Sequence, residues 1–495
     1  MADSGERWDY SQLVDRSNRC AHFFRSLGLA SGDTISILLE NRPEYLALCW
    51  AAKNIGLHYV GIGTQLTAEE AAYIVEDSDS RLLIASEYTQ RTADSIVRHV
   101  PRCACVLLDH EAQRMPSLAS ALDRFGSARP ERTRRGASML YSSGTTGRPK
   151  GVRVALTDDP PETPPPRHAA LVSIFDFHGD TVFVNPGPLY HVGPQRFSMT
   201  VHRAGGTVVL MRKFDPLLVL RCIDRSRVTH GLFVPTMFTR LLRARPECHD
   251  LDHSSLRAVV HSAAPCPVEI KERMLAWWGP VIYELYGGTE GAGTTVISPN
   301  EWLERKGSVG KPMPGCEVHI VDDAGEELPP RSPGRVFLGS ARRFEYYKDP
   351  AKTAAGRHPR GWTTLGDIGY VDEDGYLYLT DRESDMIISG GINIYPRETE
   401  NVLLSHPLIA DVAVIGVPNA EYGEEAKAVV QLESAATPSP ELASELIAYC
   451  RERLSHIKCP RSVAFVGELP RRENGKLYKR LVKEQYWRGH ATRII

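Results

Sequence analysis

A chain of 495 residues is too long for one hydrophobic core, since single cores stop growing near ~250–300 residues, so at least two domains are expected. Its composition, 42% hydrophobic and 24% charged, is that of an ordinary globular enzyme, and Lys+Arg 59 against Asp+Glu 61 gives a net charge of -2. That balance leaves no electrostatic case for a nucleic-acid partner, and no apolar run approaches the ~20 residues of a membrane span. The opening MADSGERWDY lacks the basic n-region and apolar h-region of a signal peptide, so a cytoplasmic protein is expected. Ten cysteines are scattered without a C-x-x-C pair. Cys103 and Cys105 are one residue apart, with no histidine at finger spacing, and read as reduced structural thiols.

In chain order, apolar residues at a 3.6 period predict a helix over 10–27. The turn Gly32-Asp33 and a buried strand over 34–39 follow. A helix over 43–55 and a strand over 59–61 continue the alternation, which predicts mostly parallel sheets covered by helices. Arg132-Thr133-Arg134-Arg135 reads as a solvated linker. Residues 157–167, TDDPPETPPPR, contain five prolines and read as an exposed extended loop, inert or acting as a flap. From Gly310 to Leu379 short strands and turns, including the hairpin signal Asp374-Gly375, predict a compact β subdomain. Beyond Asp381 the pattern becomes a small α+β unit, with helices over 396–404 and 441–454 and strands over 412–416 and 426–432. No repeat of solenoid or propeller period is present.

Five motifs carry chemistry. Residues 141–151, Tyr-Ser-Ser-Gly-Thr-Thr-Gly-Arg-Pro-Lys-Gly, form a phosphate cradle. Gly144 and Gly147 permit close approach of main-chain N–H groups, Ser142, Ser143, Thr145 and Thr146 add hydroxyls, and Lys150 adds positive charge. The spacing is not that of a Walker loop. The others are Tyr283-Glu284-Leu285-Tyr286-Gly287-Gly288-Thr289-Glu290-Gly291; Gly361-Trp362-Thr363-Thr364-Leu365-Gly366-Asp367 with Thr380-Asp381-Arg382; Asp385-Met386-Ile387-Ile388-Ser389-Gly390-Gly391-Ile392-Asn393-Ile394-Tyr395-Pro396; and Pro470-Arg471-Arg472-Glu473-Asn474-Gly475-Lys476.

On these motifs, from Tyr10 to about Arg480, the chain resembles the adenylate-forming superfamily of acyl-CoA synthetases, nonribosomal-peptide adenylation domains and firefly luciferase. It is most similar to bacterial acyl-CoA ligases of fatty, steroid-side-chain and aromatic acids. The resemblance implies an α/β fold: an N-terminal domain, 1–381, of two α/β subdomains plus a β subdomain, and a small mobile α+β C-terminal domain, 382–495. The site residues it implies are Tyr286 and Gly287 with Ala263, Ala264 and Pro265 around adenine, and Asp367 and Arg382 on the ribose. Thr289 would reach the α-phosphate, and Lys476 would be the catalytic lysine. A carboxylate beside phosphates repels them unless a cation intervenes, so Glu290 is the natural Mg²⁺ ligand. By the same match the acid pocket is His191, Val234, Phe238, Ala264, Gly287 and Gly288, with His191 gating it or orienting the carboxylate. Gly390 and Gly391 leave a side-chain-free channel for pantetheine, and Ser384 stands at the hinge.

The implied activity is ATP-dependent activation of an acid as its AMP anhydride, with pyrophosphate release and transfer to coenzyme A. The acid expected is aromatic or medium-sized and hydrophobic. A carrier protein is an alternative acceptor, and the alternative reaction is an ATP-dependent diazotase that activates nitrite for attack by an aryl amine. A monomer or homodimer is expected. Three positions depart from the family: Ser384 replaces the usual Asp or Lys, Thr399 is polar where an aliphatic residue is common, and the proline-rich segment replaces the usual Thr-His-x-Asn helix start.

Overall fold

Strand Thr34–Leu38 is buried at every position, so both faces of its sheet must be covered by other elements. The computed structural model describes all residues except 113–114, 132–133, 143–148, 249, 342, 383, 391, 420, 472–474 and 489–495, and the side chain of Ser142. The first sheet has five strands in the order Ala104–Leu107, Ser80–Ala85, Thr34–Leu38, His58–Gly61, Ala137–Ser138, every neighbour parallel. Helix Tyr10–Ser26, opened by a capping box between Asp9 and Gln12, and helix Pro43–Asn54 pack on one face through Phe23, Phe24, Leu48 and Cys49. Both helices match the sequence expectation to within a residue.

The second sheet runs through eleven strands. Its parallel half is Thr207–Leu210, Val182–Asn185, His230–Phe233, Ala258–His261 and Ile282–Gly287. It turns antiparallel at Thr294–Ile297, and the pairs Thr295↔Pro312 and Val296↔Lys311 join it to Ser308–Pro312. From there it continues through Leu377–Arg382, Thr363–Val371, Gly334–Ser340 and Cys316–Val321. The β-rich segment therefore extends the parallel sheet instead of standing apart from it. A hairpin of Leu140–Ser142 and Lys150–Arg153, with Glu345–Tyr346 beside it, flanks the phosphate motif. The chain after Arg382 forms a last five-stranded sheet, with Gly423–Leu432 at its centre, Ile409–Asn419 along one edge, and helices Pro396–Leu404 and Pro440–Arg451 packed against it. Among the described residues no helix is long and apolar enough to cross a membrane. The ten cysteines are free, and burial pushes the Cys103 and Cys105 thiols up to about 12.

The proline-rich segment is largely exposed and without helix or strand up to Pro165, as expected; helix Pro166–Phe175 takes up its end, and arginines strap the rest down. Arg203 donates to Glu162 O at 2.8 Å and Pro161 O at 3.0 Å. Arg135 donates to Thr163 O at 2.5 Å and pairs with Asp159 at 3.0 Å. Prolines supply carbonyl acceptors but no N–H, so side-chain donors must meet them. Arg135 is accordingly no solvated linker residue; its side chain is 13% exposed.

Beneath the second sheet lies a charged core. Glu284 pairs with Lys271 at 2.8 Å, His261 Nε2 lies 3.3 Å from the same oxygen, and the Lys271 ammonium sits 4.6 Å from the Trp302 ring. Burial opposes the Glu284 charge, but Lys271 and then His261 outweigh it and hold the carboxyl below its usual range. Removing one partner of a buried pair costs ~3–5 kcal/mol, so Lys271→Met is expected to lower stability to urea at neutral pH by about that much. Lys271→Met/Glu284→Gln should recover much of the loss. A depressed carboxyl pKa stabilises above the unfolded value of ~4.3 and ceases to as pH falls through the folded value. The gap between wild type and Lys271→Met should therefore narrow in acid; a gap independent of pH would contradict the assignment.

Candidate functional site

Strand Ile282–Gly287 alternates its side chains, so Glu284 and Tyr286 face one way while Leu285 and Gly287 face the other. Tyr286 Oη donates to Asp367 Oδ2 at 2.7 Å. Asp367 lies on Thr363–Val371 in register with Arg382, whose Nε is 3.5 Å from its other oxygen. Burial, then Asp367, hold the Tyr286 phenol pKa well above its ordinary value, so the hydroxyl remains a donor. An 8% exposed carboxylate met by a phenol and a guanidinium is a fixed acceptor able to receive two vicinal hydroxyls. Across from it, Ala263 is held at φ 76, a left-handed conformation that costs of order 1–3 kcal/mol. It turns the chain sharply after His261, leaving Ala263 and Pro265 exposed and Ala264 half-buried.

Glu290 is 9% exposed, and Tyr346 Oη donates to its Oε1 at 2.9 Å. Tyr346 pairs with Val152 of the hairpin strand, which ties this carboxylate to the phosphate motif. Burial, then Glu290, raise the Tyr346 pKa, so this hydroxyl too stays protonated. At Gly288 a Cβ would fall 2.5 Å from Glu290 Oε2 and 2.6 Å from Leu365 Cδ2, so any larger residue would displace the Glu290 carboxylate or the Leu365 side chain. Thr289 is half-buried beside them. One hard carboxylate beside a phosphate loop fits Mg²⁺, which takes one or two carboxylates together with phosphate oxygens and water. Lys150 pairs with Asp349 at 2.5 Å. Ser143, Gly144, Thr145, Thr146 and Gly147 lie outside the described residues, as does the side chain of Ser142.

The C-terminal sheet brings its own loop to this place. Arg471 grips Asp411 at 2.5 and 2.6 Å and donates to Gly475 O at 2.7 Å. Tyr478 N closes the turn on Pro470 O. Gly475, at φ 76, rests against the start of helix Pro235–Ala244: a Cβ there would lie 2.7 Å from Thr236 Oγ1 and 3.1 Å from Val234 Cγ2. The half-buried Lys476 follows directly. Lys479, three residues on, pairs with Glu400 at 2.8 Å, and Glu400 also accepts from Val414 N. Asp381 links the two modules, its Oδ1 accepting from Arg382 N at 2.7 Å and its Oδ2 from Arg397 N at 2.8 Å at the start of helix Pro396–Leu404.

Of the expected acid-pocket residues, Val234 and Ala264 are half-buried, Gly287 is exposed, and His191 is half-buried at the start of helix Val192–Arg203 with its ring 4.6 Å from Tyr190. Phe238 is a correction: it is fully buried among Phe233, His261 and Trp278 and offers no surface to a ligand. Gly390 takes φ 57 and donates to Tyr422 O, while Gly391 lies outside the described residues. Ser384 is exposed and bonds Asp385 at 3.4 Å. Sequence reasoning missed Tyr346, Asp381 and Arg471. Asp381 and Arg471 had a signal, Asp381 standing directly before Arg382 in its motif and Arg471 five residues before Lys476.

The family model of the AMP-binding enzyme matches residues 1–347, and that of the AMP-binding enzyme C-terminal domain matches 398–476. The fatty acid–[acyl-carrier-protein] ligase ScoC of Streptomyces coeruleorubidus is 32% identical, covering 99% of this chain and 94% of its own. A feruloyl-CoA synthase of Amycolatopsis sp is 32% identical over 97% of this chain and 94% of its own. Among solved structures, ATP-bound MatB from Rhodopseudomonas palustris superposes with a TM-score of 0.85 at 28% identity, over 98% of this chain and 94% of that one.

Tyr346→Phe removes a hydroxyl that donates to Glu290 Oε1. Losing such a supporting group typically costs 10–100-fold in metal affinity, so the half-saturating Mg²⁺ for ATP turnover is expected to rise ~10-fold or more with the fold unchanged. An unaltered Mg²⁺ titration would contradict the assignment of Glu290.

Proposed function

The chain belongs to the AMP-binding enzyme family of adenylate-forming ligases, and from that premise we propose that it joins an aromatic or medium-sized hydrophobic acid to coenzyme A through an acyl-adenylate. The observation that carries this reading is convergence. Tyr286, Asp367 and Arg382, distant in sequence, meet at one carboxylate, and Gly475 of the C-terminal segment, next to Lys476, rests on Val234 and Thr236 of the large N-terminal region. A catalytically silent nucleotide binder would have no use for that second contact.

In this reading ATP lays its adenine between Tyr286 and the Ala263–Ala264–Pro265 turn and its ribose hydroxyls on Asp367, braced by Arg382. Glu290 would hold Mg²⁺, which when bound neutralises phosphate charge. His191 orients the acid, whose carboxylate oxygen attacks the α-phosphorus in line and expels pyrophosphate. Lys476 supplies a compact cation where charge builds between the acid and the α-phosphate, with Thr289 donating to the same phosphate. The thiol of coenzyme A then attacks the acyl carbon and AMP leaves.

The two steps need different partners at one site, so the domain 382–495 turns on the hinge near Ser384 relative to 1–381. The turn would release Gly475 from Val234 and break the Arg243–Glu433 ion pair, while carrying Gly390 and Gly391 toward the acyl group. The relatives act on different acceptors by name, an acyl-carrier protein for ScoC and coenzyme A for the feruloyl-CoA synthase. The glycine pair 390–391, suited to a narrow pantetheine arm, is compatible with both and favours a thiol. No observation favours the diazotase alternative.

Lys476→Ala separates the steps. Loss of one preorganised donor costs ~10²–10³ in rate, so acid-dependent pyrophosphate release should fall by that factor. Thioester formation from a supplied acyl-adenylate should stay near wild type. Equal damage to both steps would contradict domain alternation.

A further inference from the structure

Three cations meet beneath the proline-rich segment, outside all five motifs. Lys53 lies in the last turn of helix Pro43–Asn54, and Arg203 ends helix Val192–Arg203. The Lys53 ammonium and the Arg203 guanidinium share one ring, lying 5.3 and 5.5 Å from the centre of Trp50. Arg135 is brought alongside because the next residue, Gly136, donates its N–H to Lys53 O at 2.9 Å. A Cβ on Gly136 would fall 2.4 Å from Leu57 O and 2.7 Å from Ala52 O, so a side chain there would push the two segments apart. His168, in the first turn of helix Pro166–Phe175, adds an imidazole. Burial first, and then Arg203 and Lys53, push its pKa down to about 4.

The charges here do not cancel. Arg135 is matched by Asp159 at 3.0 Å, Glu162 is paired with Arg129, and Arg203 spends two donors on the carbonyls of Pro161 and Glu162. Among the described residues neither the Lys53 ammonium nor the His168 ring has a hydrogen-bond or ion-pair partner, and both residues are half-buried, within reach of solvent. The two helix C-termini supply about half a negative charge each. With Asp159 they offset about two of the three positive charges. Burial, then Arg203 and Arg135, lower the Lys53 pKa to about 7, with Arg196 acting the same way and the Cys49 thiol opposing. His202, beside Arg203, is pushed down to about 4 by burial and brings no charge at neutral pH. Surplus positive charge with unused donors is matched by an anion that accepts several hydrogen bonds at once. Donors from four separate chain segments suit a tetrahedral oxyanion better than a planar carboxylate, which a single guanidinium fork would satisfy.

We propose that Lys53, His168, Arg203 and Arg135 form a binding site for a phosphate group, inorganic or esterified, which fastens the proline-rich segment to the ends of helices Pro43–Asn54 and Val192–Arg203. The inference does not depend on the reaction proposed above. Binding is coupled to proton uptake, since a neutral Lys53 amine must gain its proton to pair with the anion. The anion raises the Lys53 pKa from its low starting value, so affinity is greatest below that value and falls as pH rises above it.

Sulfate is the first probe, because it keeps two negative charges at every pH used while phosphate titrates. Calorimetric titration of the whole chain should show saturable sulfate binding, ~10-fold or more tighter at pH 6.5 than at pH 9, with proton uptake near pH 7.5. Lys53→Met should weaken binding at pH 6.5 by ~10-fold or more, the scale of a lost hydrogen bond to a charged group. His168→Ala should weaken it as well, and Lys150→Met, on the phosphate motif, should leave it unchanged. Inorganic phosphate and glycerol 3-phosphate are then compared at pH 6.5. Binding of both identifies an esterified phosphate as a ligand, binding of inorganic phosphate alone identifies the free ion, and either upholds the site. Absence of saturable binding would overturn the proposal, as would an affinity equal at the two pH values. So would binding that survives both Lys53→Met and His168→Ala, or that is lost in Lys150→Met, since the anion would then lie elsewhere.

Discussion

A carboxylate removed from water must be matched by a cation, and strand Ile282–Gly287 carries one at Glu284. Its partner, Lys271, comes from helix Val268–Trp278, and His261 from the neighbouring strand. Those contacts fix the strand in depth and register, and with it everything at its C-terminal end. Tyr286 meets Asp367 only because Glu284, two residues earlier, is pinned on the same face. Gly287 and Gly288 follow as bare wall, and Glu290 ends beside the hairpin of the phosphate motif. The most charged stretch of core thus underlies the stretch of site where placement must be most exact.

The proposed site draws on two modules, and the described links between them include hydrogen bonds, the Arg243–Glu433 ion pair and the packing of Gly475 against Val234 and Thr236. Asp381 ties Arg382 to the first turn of helix Pro396–Leu404. Within the small module Glu400 of that helix holds Lys479, the first residue of helix Lys479–Tyr486 and three residues beyond Lys476. Burial opposes the Lys479 charge, yet Glu400, Asp381 and Asp385 outweigh it and hold its pKa up. Hydrophobic clusters are instead confined within each module: Ile387, Val414 and Leu446 pack together in the small one, and Phe233, Phe238 and Trp278 in the large one. A junction that includes hydrogen bonds and ion pairs over a short connection can be remade in another arrangement at little cost, which is what the proposed pair of reactions at one site would require.

Much of this was legible in the sequence because the chemistry lies in short, contiguous motifs. The pairing of Asp367 with Arg382 follows from two such motifs on adjacent strands, and the helix and strand periods of the first sheet predicted its elements closely. What the sequence hid was nonlocal. Phe238 entered the pocket through the family resemblance, and the packing of Phe233 and Trp278 around it shows that it is core. The prolines of 157–166 signal an extended segment but not the arginines at 135 and 203 that bind its carbonyls. Tyr346 meets Glu290, 56 residues away in the chain, and Asp381 meets Arg397, 16 residues away, through contacts that no spacing rule encodes.

The central claim is that the acid's own oxygen attacks the α-phosphorus of ATP. A carboxylate labelled with ¹⁸O in both positions, turned over with ATP and coenzyme A, tests it directly by mass spectrometry of the products. The account predicts one labelled oxygen in AMP and none in pyrophosphate. Unlabelled AMP, or label appearing in inorganic phosphate, would contradict it.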